Sequence, residues 1–550
     1  MNLSNFLQEL IIKGWKFWNE DNRLRYRAPK EEFTSSVLAQ LKEHKAEIIK
    51  LLQQNPSIFN VCPLSYGQRS LWFLWQLEPE SHAYNTSLPL RICSVVDITA
   101  IQKAFEALRS RHPILRTSYP KLNSEPIQKV DDCQELDFLQ IDASSWGEDE
   151  LKTKVIESDR QPFDLERGPV MRVRWFIRSE SEHILLLTMH HIAWDGWSAG
   201  NLLMQELLQL YQAQLTGVKA SLPVIKYSYQ DYTRWQRGVL QGSEGERLWK
   251  YWQSKLTGEL PAINLPTDRL RPPIKTYNGA SHKFKLSSRV IKQLKELAQT
   301  SGVTLYMILL AAFQVLLYRY TGQEDILVGS PTSGRTKPEF APIVGYFVVP
   351  VVIRANLSNN PSFKEFLKQV RQTVLEALNH QEYPFALLVE KLYPHRDPSR
   401  SPIFQVSFTL HKLQKSQDIR SLFTNEIEKD IHWGGLKLRP FEIPQQEGQF
   451  DLTLEMMEGN SSLKGVFKYN TDLFDELTIE RMAGHFHNLL LAIVENPDQK
   501  VAQLPLLIQT ERHQLLVEWN DTATEYPTDE CIHQLFEEQV EKTPQAVAVM

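Results

Sequence analysis

Apolar residues recur with helical spacing at Leu3, Phe6, Leu7, Leu10 and Ile11 and stop at Gly14, which predicts an N-terminal helix. The pattern then alternates. Trp15 to Glu20 and Arg23 to Arg27 flank the polar Asp21-Asn22, with Leu24 and Tyr26 facing away from Arg23, Arg25 and Arg27, so a hairpin ending at Pro29 is expected. Two further helical runs, with Leu38, Leu41, Ile48, Ile49, Leu51 and Leu52 as their stripe, close a small separate unit over residues 1–53, before Asn55-Pro56. Strands and helices then mix from Pro63 to about 235, and a similar mixture recurs to about 507 without any short repeat. Two α+β lobes, over 61–235 and 236–507, are the simplest architecture. Residues 508–550 open on a polar run and end in mid-pattern at Ala546 to Met550, as expected of a linker and the truncated start of a further domain. The greasiest segment, Leu305 to Tyr318, is interrupted by Gln314 and is shorter than the roughly 20 residues of a spanning helix, so it reads as a buried core helix.

Length and charge remove several function classes. The 550 residues are about three or four times a usual domain. With 61 basic against 66 acidic residues the net charge is −5, which gives no footprint for general nucleic-acid binding. Cys62, Cys93, Cys133 and Cys531 are far apart and suggest neither a zinc knuckle nor a disulfide framework. Glu9 sits inside the first apolar stretch, unlike a secretory leader. A cytoplasmic protein with reduced thiols and no membrane partner is expected.

The strongest chemical constellation lies at residues 183–200. His183 to Met189 reads as a buried strand that delivers His190, His191, Ile192, Ala193, Trp194, Asp195 and Gly196 at its end, after which Ser198 is expected to cap a helix over Asn201 to Leu215 that ends at Gly217. Three readings compete: a turn tied by His190 and Asp195, a metal site, and a serine nucleophile. Zinc wants a third ligand, and no His-Glu-x-x-His or cysteine cluster supplies one, so no metal is expected. Gly196-Trp197-Ser198-Ala199-Gly200 matches the Gly-x-Ser-x-Gly elbow of hydrolases, but polar His190, His191 and Asp195 interrupt the apolar strand that should precede it.

His190-His191-x-x-x-Asp195-Gly196 resembles the signature of nonribosomal peptide synthetase condensation domains. The likeness runs along the chain: Leu64 to Trp72, Arg111 to Thr117, Tyr229 to Tyr232 with Trp235, Gly329 to Arg335, Gly345 to Val348, Tyr383 to Phe385 and Arg396 to Val406 resemble the family's other segments in order. Residues 1–53 resemble a tubulysin-type docking domain. Ile532 to Phe536 and Thr543 to Val549 resemble the opening of an adenylation domain. Two departures, Trp194 before the Asp-Gly and Val349-Pro350 after Gly345-Tyr346-Phe347-Val348, bear on substrate preference.

The resemblance implies an α+β fold of two chloramphenicol-acetyltransferase-like lobes forming a V, beside a small α/β docking domain with a β-hairpin. It implies amide formation between a carrier-bound acyl or peptidyl thioester and a carrier-bound aminoacyl amine. His191 would be catalytic, as general base or by aiming the amine. His190, Asp195, Gly196 and Arg335 would support the site, Asp195 pairing with Arg335 across the lobes. Phosphopantetheine would arrive on the donor and acceptor carrier proteins, with no cofactor held by the chain itself. Arg23, Arg25, Arg27 and Lys30 would meet an acidic C-terminal tail of the upstream synthetase. The rival readings are a non-catalytic carrier-binding scaffold and a hydrolase using Ser198.

Overall fold

The computed structural model describes residues 3–20, 23–28, 32–54, 60–132, 134–393, 397–412, 431–444, 448–459, 462–525 and 528–549. Asp21, Asn22, Pro29, Lys30, Asn55, Pro56, Cys133 and Arg396 lie outside them.

Helix α1 (Leu3–Ile12) leads into the hairpin β1 (Lys16–Glu20) and β2 (Arg23–Arg27), followed by α2 (Ser35–Glu43) and α3 (Lys45–Gln54). Register pairs Trp18 with Arg25 and Glu20 with Arg23. Phe6, Leu7, Leu10, Trp15, Leu41 and Ile48 form this unit's core. The expected separateness fails at Ile11, which points away from that core and is buried with Val61, Leu122 and Ile127 of the following lobe. Burial of one more apolar face outweighs a free linker.

The first lobe contains β3 (Val61–Pro63), α4 (Tyr66–Leu77), β4 (Asn85–Ile92), α5 (Ile98–Arg111), β5 (Thr117–Ser118), β6 (Lys121–Leu122), β7 (Glu125–Val130), β8 (Asp137–Asp142), α6 (Glu148–Asp159), β9 (Met171–Ser179), β10 (Glu182–His190), α7 (Met204–Thr216) and α8 (Tyr229–Gln241), whereas α9 (Ser243–Lys255) packs on the second, Trp252 Nε1 donating to His380 O at 3.0 Å. Local chemistry sets the ends: Ser65 and Gln68 form a capping box on α4, and Asp97 caps α5. The second lobe contains β11 (Gly279–Leu286), α10 (Ser288–Ser301), α11 (Leu305–Thr321), β12 (Asp325–Thr332), β13 (Val349–Asn356), α12 (Phe363–Asn379), α13 (Phe385–Leu392), β14 (Val406–Lys412), β15 (Ile431–Trp433), β16 (Leu436–Pro440), β17 (Leu452–Glu458), β18 (Leu463–Asn470) and α14 (Glu476–Glu495).

Each lobe is built on a six-stranded sheet, with orders β15-β16-β4-β10-β9-β8 and β11-β18-β17-β14-β12-β13. Strands β15 and β16 therefore belong by sequence to the second half and by pairing to the first, with Leu438 opposite Ile92. They cover the otherwise open edge of β4 and bury Ile431, Trp433, Leu436 and Leu438 in the first lobe's core. Helix α11 is buried at Leu305 and from Met307 to Leu317, Gln314 included, and is a core helix of the second lobe. No single helix among the described residues is long and apolar enough to cross a membrane. Residues 505–550 cluster as a second compact unit holding helices α15 (Gln509–Leu516) and α16 (Ile532–Lys542).

Candidate active site between the two lobes

Strand β10 ends at His190, and the chain turns through a short 3₁₀ segment, His191–Ala193. The neighbouring strands fix where this end points, because β10 is central, pairing with β4 on one side and β9 on the other. His190 is 3% exposed, and its Nδ1 accepts the Ile192 N–H at 3.1 Å. Burial pushes its pKa down to about 3, so it is a neutral structural ring at the base of the turn.

His191 is half-buried, and its ring contacts Tyr346 of the second lobe. Its N–H bonds to Tyr84 O at 2.9 Å, and its Nδ1 lies 2.7 Å from Trp194 O. A carbonyl only accepts, so Nδ1 carries the proton and the neutral ring keeps an unprotonated Nε2. Burial lowers the pKa of His191 from the ordinary histidine value, against the opposing pull of Trp194 O and Asp195. The imidazole is therefore neutral at physiological pH, with one lone pair to offer.

Asp195 is a buried hub. Its Oδ1 accepts the Ser198 N–H and O–H, each at 2.8 Å, and its Oδ2 accepts Arg335 Nη1 at 2.5 Å and the Phe347 N–H at 3.1 Å. The Arg335 and Asp195 side chains are 3% and 2% exposed. Arg335 also donates to Ser198 Oγ at 2.9 Å and Ile343 O at 3.1 Å, and stacks 4.1 Å over the Phe347 ring. Gly334 places it there: its φ of +61° is left-handed, and a Cβ would sit 1.8 Å from Phe347 O. Gly196 is exposed, with nothing within 4 Å of an added Cβ, so the protein itself does not require its smallness.

Ser198 corrects two expectations. It does not cap the helix, which starts at Gly196 with Asp195 as its cap, runs through a π-helical stretch at Ser198–Leu203 and continues into α7, ending at Gly217 as expected. Nor is it an exposed nucleophile. Its hydroxyl is buried, donates to Asp195 and accepts from Arg335 and from the Gly345 N–H at 3.2 Å, with no histidine among its described partners. Ser198→Ala is expected to lower unfolding free energy by about 1–3 kcal/mol, the cost of leaving those buried donors without an acceptor. A denaturant melt within about 0.5 kcal/mol of the parent would show that these bonds contribute nothing.

Tyr346, met in the sequence only as part of the Gly345 to Val348 segment, and Tyr84, which no sequence segment pointed to, complete the geometry. Tyr346 sets its ring edge-on to His191, centroids 5.0 Å apart at 77°. Tyr84 holds the His191 amide and stacks edge-on with Tyr277 of the second lobe. A cavity of about 70 Å³ is lined by Ser65, Gly67, Ser70, Tyr346, Val348 and Pro350, and a smaller one by Leu74, Trp75, Tyr84, His190 and Tyr277. Both lobes contribute to each. His191 touches Tyr346, which lines the first, and its backbone N–H bonds to Tyr84, which lines the second. Trp194 is buried in the core and reaches the site through its carbonyl, which no side-chain motif signals.

Comparison with known proteins gives the family. Residues 58–516 match the model of the condensation domain, and residues 3–54 that of the TubC N-terminal docking domain. A linear gramicidin synthase protein of Brevibacillus parabrevis is 41% identical over 495 residues, 89% of this chain and 9% of that protein. Bacitracin synthase 2 of Bacillus licheniformis is 33% identical over 562 residues, covering 100% of this chain and 21% of that protein. The chain thus spans less than a quarter of the length of these relatives. Among solved structures, a four-domain nonribosomal peptide synthetase bound to AMP and glycine superposes with a TM-score of 0.78 at 25% identity, over 88% of this chain and 36% of that one. The X-domain from teicoplanin biosynthesis gives 0.72 at 25%, over 81% and 97%. The chain belongs to the condensation-domain family of nonribosomal peptide synthetases, acyltransferase-type enzymes that form amide bonds, and carries a TubC-type docking domain at its start.

Proposed function

We propose that this chain joins an upstream carrier-bound acyl or peptidyl thioester to a downstream carrier-bound aminoacyl amine, with His191 as the catalytic residue. The observation that carries this reading is the commitment of His191 Nδ1 to Trp194 O, which leaves Nε2 as an acceptor on a ring that touches Tyr346 of the second lobe. The amine nitrogen attacks the thioester carbon, the C–N bond forms, and the C–S bond then breaks to give amide and thiol. Nε2 accepts the amine N–H, aims the nitrogen lone pair and takes the proton once the nitrogen has become an acidic ammonium. A base weakened by burial suffices for that second task. The two phosphopantetheine arms enter from opposite sides, the chain holding no cofactor of its own, in the cytoplasm. His190, Asp195 and Arg335 hold the frame, and the exposed Gly196 leaves space for the donor chain.

Product analysis with two loaded carrier proteins tests the reading. Amide product supports it; free acid indicates a hydrolase, and no product with intact carrier binding indicates a scaffold. Residues 508–550 are a linker and the start of an adenylation domain in this reading.

The docking domain recruits the upstream synthetase. The hairpin is a two-stranded sheet whose strand β2 exposes Arg23, Arg25 and Arg27, and β2 adds an acidic, extended C-terminal tail as a third strand. Arg25 is already bonded to Glu20 at 2.6 Å, whereas Arg23 and Arg27 have no ion pair among the described residues. Lys30, also assigned to this surface, lies outside them. Arg23→Glu together with Arg27→Glu is expected to weaken tail binding about 5- to 10-fold at low salt, given the modest worth of exposed pairs, and to leave condensation of separately supplied carriers unchanged. Calorimetric titration at two salt concentrations checks it; a salt-independent affinity would sink the electrostatic part.

A further inference from the structure

We propose that Tyr346 is the positioning residue for His191, its ring fixing the tilt of the imidazole. The proposal rests on the amide-forming reading above and adds a residue to it.

A hydrogen bond at Nδ1 anchors one corner of the imidazole, but rotation of a histidine ring about its last side-chain bond is soft. A second restraint is needed to keep Nε2 aimed. The Tyr346 ring supplies it in the edge-to-face arrangement that aromatic quadrupoles prefer, at 5.0 Å and 77°. The restraint is itself held. Gly345 N–H bonds to Ser198 Oγ at 3.2 Å, Tyr346 O accepts the Tyr229 hydroxyl, and Phe347 N–H bonds to Asp195 Oδ2 at 3.1 Å. Three consecutive residues are thus pinned, two of them to the Asp195 cluster. Behind the ring lies the bare backbone of α4: a Cβ on Gly67 would come within 2.8 Å of Tyr346 Cε1 and 3.0 Å of Cδ1. The ring lies against the helix at Gly67, in the first turn of α4, and a side chain there would displace it. Among the described residues the Tyr346 hydroxyl has no hydrogen-bond partner, so the ring and not the phenol makes the contact.

The titratable groups that bear on His191 are Asp195, buried neutral His190, and the phenols of Tyr84 and Tyr346, which burial keeps protonated. Removing the ring lets water reach the imidazole. The expected sign is therefore a rise in its titration midpoint toward the ordinary histidine value.

The test combines kinetics of amide formation on loaded carriers with NMR titration of histidine-labelled protein, the His191 signal assigned by its absence in His191→Ala. Tyr346→Ala is expected to lower kcat about 10- to 100-fold with little change in KM, the size of effect that a small misalignment produces, and to move the midpoint upward. Tyr346→Phe should retain most of the rate and the parent midpoint. Gly67→Ala, which removes nothing, should reproduce part of the loss, and this effect should vanish in the Gly67→Ala/Tyr346→Ala double variant. An unmoved midpoint with an unchanged kcat in Tyr346→Ala overturns the proposal, as does a Tyr346→Phe variant as impaired as the alanine. Failure of the parent to form amide would defeat the reading of the reaction instead, and the titration would still decide the role of Tyr346.

Discussion

His191→Ala is expected to lower amide formation by about 10²- to 10⁴-fold, the range for a lost acid–base or orienting group. The fold should survive, because the ring is half-buried and its side-chain hydrogen bond is to the backbone carbonyl of Trp194, three residues on in the same turn. The pH dependence follows from the direction of the pKa shift. Burial makes the neutral form dominant below the ordinary histidine pKa of about 6.5, so the rate should stay flat from neutral pH down past that value and fall only when the depressed pKa is reached. Single-turnover kinetics with both carriers preloaded, run across pH, measure both effects. A parent-like rate in the alanine variant would remove His191 from the chemistry.

Asp195→Ala should lose activity through stability. The pair is almost fully buried, and deleting the carboxylate leaves the Arg335 guanidinium without its counter-charge and the N–H groups of Ser198 and Phe347 without an acceptor. Breaking one side of a buried pair costs about 3–5 kcal/mol, of which the larger share is the stranded charge. Arg335→Met with Asp195→Ala removes both charges at once and should be less destabilising than either single change. Denaturant melts of the four proteins give the coupling energy directly, and contacting residues of this kind should couple by more than about 1 kcal/mol. Simple additivity would mean that Ser198, Phe347 and Ile343 hold Asp195 and Arg335 independently. The same cluster pins residues 345 and 347, so a loosened pair should also release Tyr346 from His191. Loss of stability and loss of alignment are then two readouts of one contact.

Sequence by itself determined the local elements and the order of the chemical segments. The first helix, the hairpin and the strand that ends in His190-His191 are legible because each is set by spacing within about a dozen residues: period 3.6 for α1, period 2 for β1 and β2, and an unbroken apolar run for a strand buried on both faces. Gly217 ended its helix where expected because a left-handed C-cap is a local requirement. Tertiary structure alone decided the rest. Asp195, not Ser198, caps the helix because the serine hydroxyl is claimed by Arg335 and Gly345, which are 137 and 147 positions away. Ile11 looked like one more member of its own stripe, and only the neighbouring lobe could take it. Strands β15 and β16 cross to the first sheet because β4 has an open edge there, a fact absent from any window of sequence. The apposition of Gly67, Tyr346 and His191 joins a helix start, a loop and a strand end. None of the three carries a local mark of the others, since close packing between distant segments depends on shape and on what each backbone leaves uncovered, and linear periodicity records neither.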